Sequence, residues 1–464
     1  MKYKLPDKVT EVMDKIRNEG YEIYAVGGCV RNMILKIKTK DWDFTTNATP
    51  LQIVKIFPNS FYDNKFGTVG IPIKEKVKGK DQTAVFEITT FRSESGYSDN
   101  RHPDNIKWGN RLEEDLKRRD FTINSIAFDG KNLIDPYKGQ IDLANKLIKA
   151  VGDPNERFKE DALRMMRAVR IASQLNFLID EKTYKAISIN SILLQKVSGE
   201  RIRDELVKIL STNYPADGIR MLKNFSILSI ILPELEKCFG IEQKSPKRHH
   251  KYDVGTHLLL SLEKCPCANP IVRFATLLHD VGKAVTYKKT AEGVITFYNH
   301  EIFSASIVKN IANRLRFAKH DRDKLLCLVR YHQFTVNENQ TDSALRRFIK
   351  NVGPENLQDI LSLRTGDRLG GGARESSWRL ELYKKRLIEV QKQPFRVQDL
   401  KVSGHDVMEI YGIGPGPYVG SVLNMLFSDV IEGKLKNVHK MLIQRIKDLK
   451  KESKSLWPKS PELH

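Results

Sequence analysis

The sequence predicts an α+β fold: a mixed-sheet head followed by a long helical body. Three observations carry this. The first 150 residues hold short β-rich runs at 23–26, 83–90 and 122–128, set between helical stretches and frequent turn residues. From about residue 155 the pattern becomes almost wholly helical, with apolar residues three and four apart at 201–210 and 307–315. The chain has 464 residues, too many for one hydrophobic core and enough for three or four domains.

Composition narrows the partners. Lys and Arg number 78 against 57 for Asp and Glu, a net charge of +21 that favours a polyanion. The 40% apolar and 8% aromatic content excludes a disordered basic tail as the main body. The longest clean apolar stretches, such as 227–232, are far short of a membrane span, and residues 1–16 lack the apolar core of a signal peptide. Five cysteines lie scattered at 29, 238, 265, 267 and 327, and Cys265-Pro-Cys267 has no second pair to make a metal knuckle. A cytoplasmic, reduced protein with no membrane association is the simplest expectation.

The head carries the clearest chemistry. Gly27-Gly28-Cys29-Val30-Arg31 is followed by Asp41-Trp42-Asp43. Residues i and i+2 of a strand face the same side about 6.5–7 Å apart, so both carboxylates can serve the same metal ions. The glycine pair lets backbone amides approach a triphosphate, and Arg31 adds a positive charge. This combination predicts nucleotidyl transfer, the plainer reading being a solvent-facing strand after an ordinary turn. Glu87, in Val85-Phe86-Glu87-Ile88, has the strand context of a third carboxylate; an ordinary exposed glutamate fits that pattern equally well.

The segment from Val26 to Pro50, with KRRDFTINSIA (117–127) and EDALRMMRAVRIA (160–172), resembles the bacterial CCA-adding tRNA nucleotidyltransferases of the poly(A) polymerase superfamily. The likeness runs in order from about 24 to 210 and weakens beyond. It implies a polymerase-beta-type head using Mg²⁺, with tRNA as partner and CTP and ATP as substrates. It also implies that Arg119, Asp120 and Asn124 line the nucleotide. Arg118 and Arg119 offer fixed cations for a triphosphate, and Asp120 an acceptor for a ribose hydroxyl.

Glu160-Asp161-x-x-Arg164 bears on base choice. On one helix, Asp161 and Arg164 would face the same side. Cytosine and adenine share an amine donor beside a ring-nitrogen acceptor, while uracil and guanine reverse that pattern. An aspartate that accepts and an arginine that donates would therefore take CTP and ATP and refuse UTP and GTP, each mispaired group costing roughly 1–3 kcal/mol. Arg167 and Arg170 continue the arc down the same helix, to reach phosphates of nucleotide or RNA or to stand solvated. The segment 91–110 matches the family's flexible loop, which is linked to switching from C to A addition.

A second constellation follows. His257, His279, Asp280, His300, His332 and Asp367 come in an order that, with the strings THLLLSLE, ATLLHDVGK and RTGDRLGGG, resembles the HD superfamily of metal-dependent phosphohydrolases. These six would hold one or two divalent ions, with Lys283 near a phosphate. The alternative is chiefly an RNA-binding body with residual or no hydrolysis. Near the C-terminus, Gly412-Ile-Gly414-Pro-Gly416-Pro precedes a helix, and Leu435, Val438, Leu442, Ile446 and Leu449 form the apolar stripe of a basic last helix.

The expected organisation is thus a catalytic head at 1–150, a helical neck at 151–240, an HD domain at 241–390 and a tRNA-binding tail at 391–464. The expected activity is template-independent CCA addition. Poly(A) polymerase, CC-only or A-only addition, and an HD-type RNA phosphohydrolase stay open as alternatives.

Overall fold

The computed structural model describes residues 3–39, 41–63, 67–77, 80–95, 105–109, 111–243, 252–391 and 397–456. Much of the expected switching loop, most of the basic boundary near 243–251, part of the boundary near 391–403 and the end of the tail therefore lie outside the described residues.

Seven strands form the head sheet in the order Phe61–Asp63, Thr68–Val77, Lys80–Thr90, Asp43–Thr46, Ile23–Val26, Ala127–Phe128 and Leu133–Ile134. Asp43–Thr46 pairs in parallel with Lys80–Thr90; the other pairings in this sheet are antiparallel. The central strands bury Phe44, Phe86 and Ile88 on one side. The helix Asp7–Asn18 buries Val9, Val12, Met13 and Ile16, whose three- and four-residue spacing makes one apolar stripe.

The strand expected over 122–128 is mostly absent. Residues Thr122–Asn124 form a 3₁₀ turn, and only Ala127–Phe128 pairs in the sheet. Local side-chain bonds explain the difference: Asp120 Oδ1 accepts from the Phe121 amide at 2.8 Å, and Ser125 Oγ donates to the Phe121 carbonyl at 3.0 Å. These give the backbone partners that a ladder would otherwise supply.

Beyond 153 the chain is built almost entirely of helices, apart from short strand pairs such as Lys288–Lys289 with Ile295–Thr296. The apolar core runs without interruption from Val9 to Val390, so head, neck and the histidine-bearing body share it. A separate cluster, including Leu400, Val407, Val422, Leu426, Leu442 and Ile446, forms the tail's own core. The last helix is His439–Leu456, and it buries Leu442 and Ile446. Val438, expected on the same stripe, precedes the helix and is 49% exposed. No helix among the described residues is long and apolar enough to cross a membrane.

Candidate functional site

The head site begins at Gly27, which ends the strand Ile23–Val26 with φ 81° and caps the helix Gly28–Ile34. That backbone suits glycine, and a Cβ there would meet Arg119 Nη1 at 3.3 Å and Asp43 Oδ2 at 3.7 Å. The turn therefore sits against one carboxylate and one cation. Asp41 lies just outside the strand Asp43–Thr46, but Asp41, Trp42 and Asp43 alternate exposed, buried, exposed, so both aspartates are open to the same side. Parallel pairing sets Glu87 in register with Asp43 on the neighbouring strand. Partial desolvation, together with the charges of Glu87 and then Asp41, pushes the Asp43 carboxyl up to about 6 despite the opposing pull of Arg119. Three acidic groups crowded beside one turn form a natural cation site.

Behind them, one network, buried except at Arg167, orders the side chains. Arg31 is 6% exposed and donates from Nη1 to Asn124 Oδ1 at 2.9 Å; Asn124 Nδ2 donates to Asp120 Oδ1 at 3.0 Å. Asp120 Oδ2 accepts from Arg167, with Nη2 at 2.6 Å and Nε at 2.9 Å. Burial alone would raise the Asp120 carboxyl, but Arg167 and Asn124 hold it well below the usual carboxylate range. Burial, with Arg170 nearby, lowers Arg31 to about 10. Asp120, expected to offer an acceptor to a ribose hydroxyl, already has bonds at both oxygens and ties the head to the helix Leu163–Leu175. Arg170, expected to reach phosphate, pairs with buried Glu205 at 2.8 Å.

Arg118 and Arg119 are fixed by a residue that motif reading missed. Asp115, fully buried, pairs with Arg118 Nη2 at 2.6 Å through one oxygen and with Arg119 Nη2 at 3.0 Å through the other. The signal was present, since residues three and four apart meet on a helix, but it lay outside the expected motif.

Asp161 and Arg164 do not share a helix face. Asp161 terminates the helix Pro154–Glu160 with an extended backbone, and the next helix is Leu163–Leu175. Their partners also lie elsewhere. Asp161 Oδ2 pairs with Arg201 Nη2 at 2.8 Å. Arg164 bonds the Glu160 carboxylate, the Arg157 carbonyl at 3.1 Å and the Arg118 carbonyl at 3.0 Å. The last of these joins the Arg118–Arg119–Asp120 segment to Arg164.

The six residues of the second constellation converge. His257 comes from the helix Val254–Lys264, His300 starts His300–Arg314 and Asp367 lies in Leu357–Gly370. His279 and His332 cap the ends of Pro270–Leu278 and Lys319–Tyr331, and Asp280 follows His279. Asp280 is the hub: Oδ2 lies 3.6 Å from His257 Nε2 and 3.4 Å from His279 Nε2, while Oδ1 lies 3.1 Å from His300 Nε2 and 3.3 Å from His332 Nε2. Asp367 Oδ1 adds contacts of 3.3 Å to His257 and 3.6 Å to His279. Lys283 Nζ lies 2.6 Å from Asp280.

The tautomers favour a cation there. His279, His300 and His332 each place Nδ1 within 2.7–2.9 Å of the backbone carbonyl three residues earlier. A carbonyl only accepts, so the proton sits on Nδ1 and a neutral ring turns its Nε2 lone pair inward. Lone pairs and carboxylates facing one another suit a cation between them, a role the Lys283 ammonium already fills at the edge of the cluster. Without one a proton substitutes: burial would lower His279, yet Asp280 and Asp367 hold it near 10. Burial opposes ionisation of both carboxylates, but Lys283 and His279 hold Asp280 well below the usual range, and His257 and His279 do so for Asp367. The residues fall into two groups sharing Asp280: His257, His279, Asp280 and, from its contacts, Asp367; and Asp280, His300, His332. If divalent ions were held here, His257, His279, Asp280 and Asp367 would offer one set of ligands and Asp280, His300 and His332 another, and such ions could activate water.

Comparison with known proteins places the chain. Residues 23–149 match the poly A polymerase head domain, 176–239 the probable RNA and SrmB-binding site of polymerase A, and 303–446 a putative tRNA nucleotidyltransferase domain 2. The last match runs across the division expected near 391. A CCA-adding enzyme of Limosilactobacillus reuteri is 34% identical over 451 residues, covering 95% of this chain and 96% of its own. One from Ligilactobacillus salivarius is 32% identical over 453 residues, covering 97% and 98%. The fold is similar to that of the Bacillus stearothermophilus CCA-adding enzyme solved in complex with CTP, with a TM-score of 0.68, 24% identity and coverage of 97% and 98%. With full-length relatives above 30% identity, the chain belongs to the family of CCA-adding enzymes.

Proposed function

We propose that this protein builds the CCA end of tRNA from CTP and ATP without a nucleic-acid template, with Mg²⁺ as the metal of the head. Family membership supports the reaction. The observation that carries it to named residues is the gathering of Asp41, Asp43 and Glu87 beside the Gly27 turn and Arg119. A divalent cation bound there neutralises phosphate charge and favours an ionised 3′-hydroxyl. Gly27 and Gly28 leave room for phosphate, Arg118 and Arg119 stand fixed for a triphosphate, and the Arg31–Asn124–Asp120–Arg167 network keeps the pocket rigid. Asp161, from the break between two helices, and Arg164, from the start of the next, read the base edge with the hydrogen-bonding capacity that their protein contacts leave, and the basic helical tail holds the tRNA. A cytoplasmic place of action follows from that substrate.

The direct test uses tRNA lacking its CCA end with Mg²⁺ and CTP alone, ATP alone, or both, followed by sequencing of the 3′ ends. Growth by CC with CTP, completed to CCA once ATP is present, is expected. A-only addition or an open-ended A run would reassign the enzyme.

A second reading is favoured by the contacts of Asp280 with four histidines. The histidine cluster holds one or two divalent ions and hydrolyses phosphomonoester or 2′,3′-cyclic phosphate ends of RNA. Lys283, beside Asp280, is placed to meet the phosphate. Elemental analysis should find metal that Asp280→Ala loses, and the hydrolysis should survive Asp41→Ala with Asp43→Ala. Metal content unchanged by Asp280→Ala would end this reading.

A further inference from the structure

The contacts of Asp161 identify a residue outside the motifs quoted above. Asp161 leaves its helix with φ −144° and ψ 105°. Its Oδ1 accepts from the Leu163 amide at 3.1 Å, and its Oδ2 accepts from Arg201 Nη2 at 2.8 Å. Both side chains are largely shielded, Asp161 at 19% and Arg201 at 21% exposure. We propose that Arg201 is a positioning residue for base selection, locking the Asp161 carboxylate at the angle from which it accepts the amine of cytosine or adenine. This rests on Asp161 reading the base.

The chemistry follows from lone pairs. Each carboxylate oxygen has two, and each oxygen of Asp161 spends one on its protein partner, leaving one for a base. A carboxylate only accepts, so it repels the carbonyl that uracil and guanine present at the same place. That refusal has force only while the carboxylate stays against the base edge. With the Leu163 amide as the one remaining anchor among the described residues, the group can turn away and tolerate the wrong base.

Arg201 is itself held from outside the head. It lies in the first turn of the helix Gly199–Leu210, whose start is clamped to the far end of the helix that begins at His300. A Cβ on Gly199 would lie 2.3 Å from the Arg314 carbonyl oxygen, so the two backbones touch. Glu200 pairs with Arg316 at 2.6 Å, and Arg203 donates to the Arg316 carbonyl. The histidine-bearing body thereby serves as the buttress that sets the height of Arg201 over Asp161.

The test compares wild type, Arg201→Gln, Arg201→Lys and Asp161→Ala, measuring kcat and KM for the first addition to tRNA lacking CCA, from CTP and from UTP. The ratio of the two kcat/KM values is independent of the fraction of enzyme folded, which a purely structural role would change. Arg201→Gln should lower that ratio about tenfold or more, chiefly through a higher KM for CTP, because one charge-assisted hydrogen bond is lost. Arg201→Lys should recover part of it, since an ammonium restores the charge without the planar fork. If Arg201→Gln does not fold, the Lys variant decides alone, with a reduced ratio expected and a wild-type ratio overturning the proposal. A wild-type ratio in Arg201→Gln beside a collapsed ratio in Asp161→Ala would overturn the role of Arg201 only. A wild-type ratio in Asp161→Ala would remove the base-selecting reading and this inference with it.

Discussion

At the scale of single residues, two carboxylates with opposite electrostatics govern the head. The Asp43 carboxyl, pushed up to about 6 by desolvation and Glu87, is the less acidic one. A raised carboxyl favours the folded apo-protein below its ordinary value, and that advantage disappears as pH rises through 6. A metal reverses the preference, because it binds only the ionised form. Nucleotide addition at limiting Mg²⁺ should therefore fall as pH drops through 6, by about tenfold per unit below it, and excess Mg²⁺ should move the fall to lower pH. A rate flat from pH 7.5 to 5 would contradict this. Asp115 behaves oppositely: burial raises it, but Arg119 and Arg118 outweigh that and keep it ionised. Asp115→Ala frees two arginines from one buried anchor and should cost about 2–3 kcal/mol of stability. It should also raise KM for CTP and ATP together, leaving their preference over UTP and GTP intact, as steady-state kinetics and thermal melts would read.

At the scale of elements, close helix contacts decide what converges. The helices Val254–Lys264 and Leu357–Gly370 bring His257 to Asp367 because the latter meets its neighbour with glycines. A Cβ on Gly366 would lie 2.7 Å from the Ser261 carbonyl oxygen, and one on Gly370 would lie 2.5 Å from the Ser261 amide. Backbone cannot yield as a flexible side chain can. Gly370→Ala should push the helices apart, weaken divalent-metal retention by about tenfold or more, and lower the melting temperature by several degrees. CCA addition by the folded fraction should persist. Metal retention equal to wild type would show that this packing does not set the ligand geometry.

At the scale of the whole molecule, one core joins the head to the histidine body, while the tail keeps its own. The cluster around Asp280 therefore reports on the stability of the unit that carries both sites. Without metal, the raised His279 contributes stability in full below its ordinary value of 6.5, and loses it as pH rises toward about 10. The depressed Asp280 and Asp367 contribute above the ordinary 3.8 and lose their contribution only in strong acid. A proton thus holds the cluster together best between the two ordinary values and worst in alkali. Adding a divalent ion should raise the melting temperature more at pH 8.5 than at pH 5.5, and His279→Ala should abolish the difference. An equal shift at both pH values would mean that the ion stabilises the protein from another place.

The sequence by itself determined the class of fold and the family, and it named the residues that the structure gathers in the two constellations, because their signals are local. Asp41 and Asp43 alternate with a buried Trp42, and the six histidines and aspartates come in an order that survives in the chain. It also held the Asp115 spacing, unread because it fell outside a motif. Helix phase misled at Asp161, which lies in the break between two helices where the periodicity argument no longer applies. Local side-chain bonds likewise turned 122–124 away from the strand that its composition favoured. Only the tertiary structure could pair Arg201 with Asp161, forty positions apart, or set Glu87 beside Asp43, since strand register and helix docking depend on packing across the whole core. Types of chemistry are written residue by residue; which atoms meet is settled when distant segments bury their faces together.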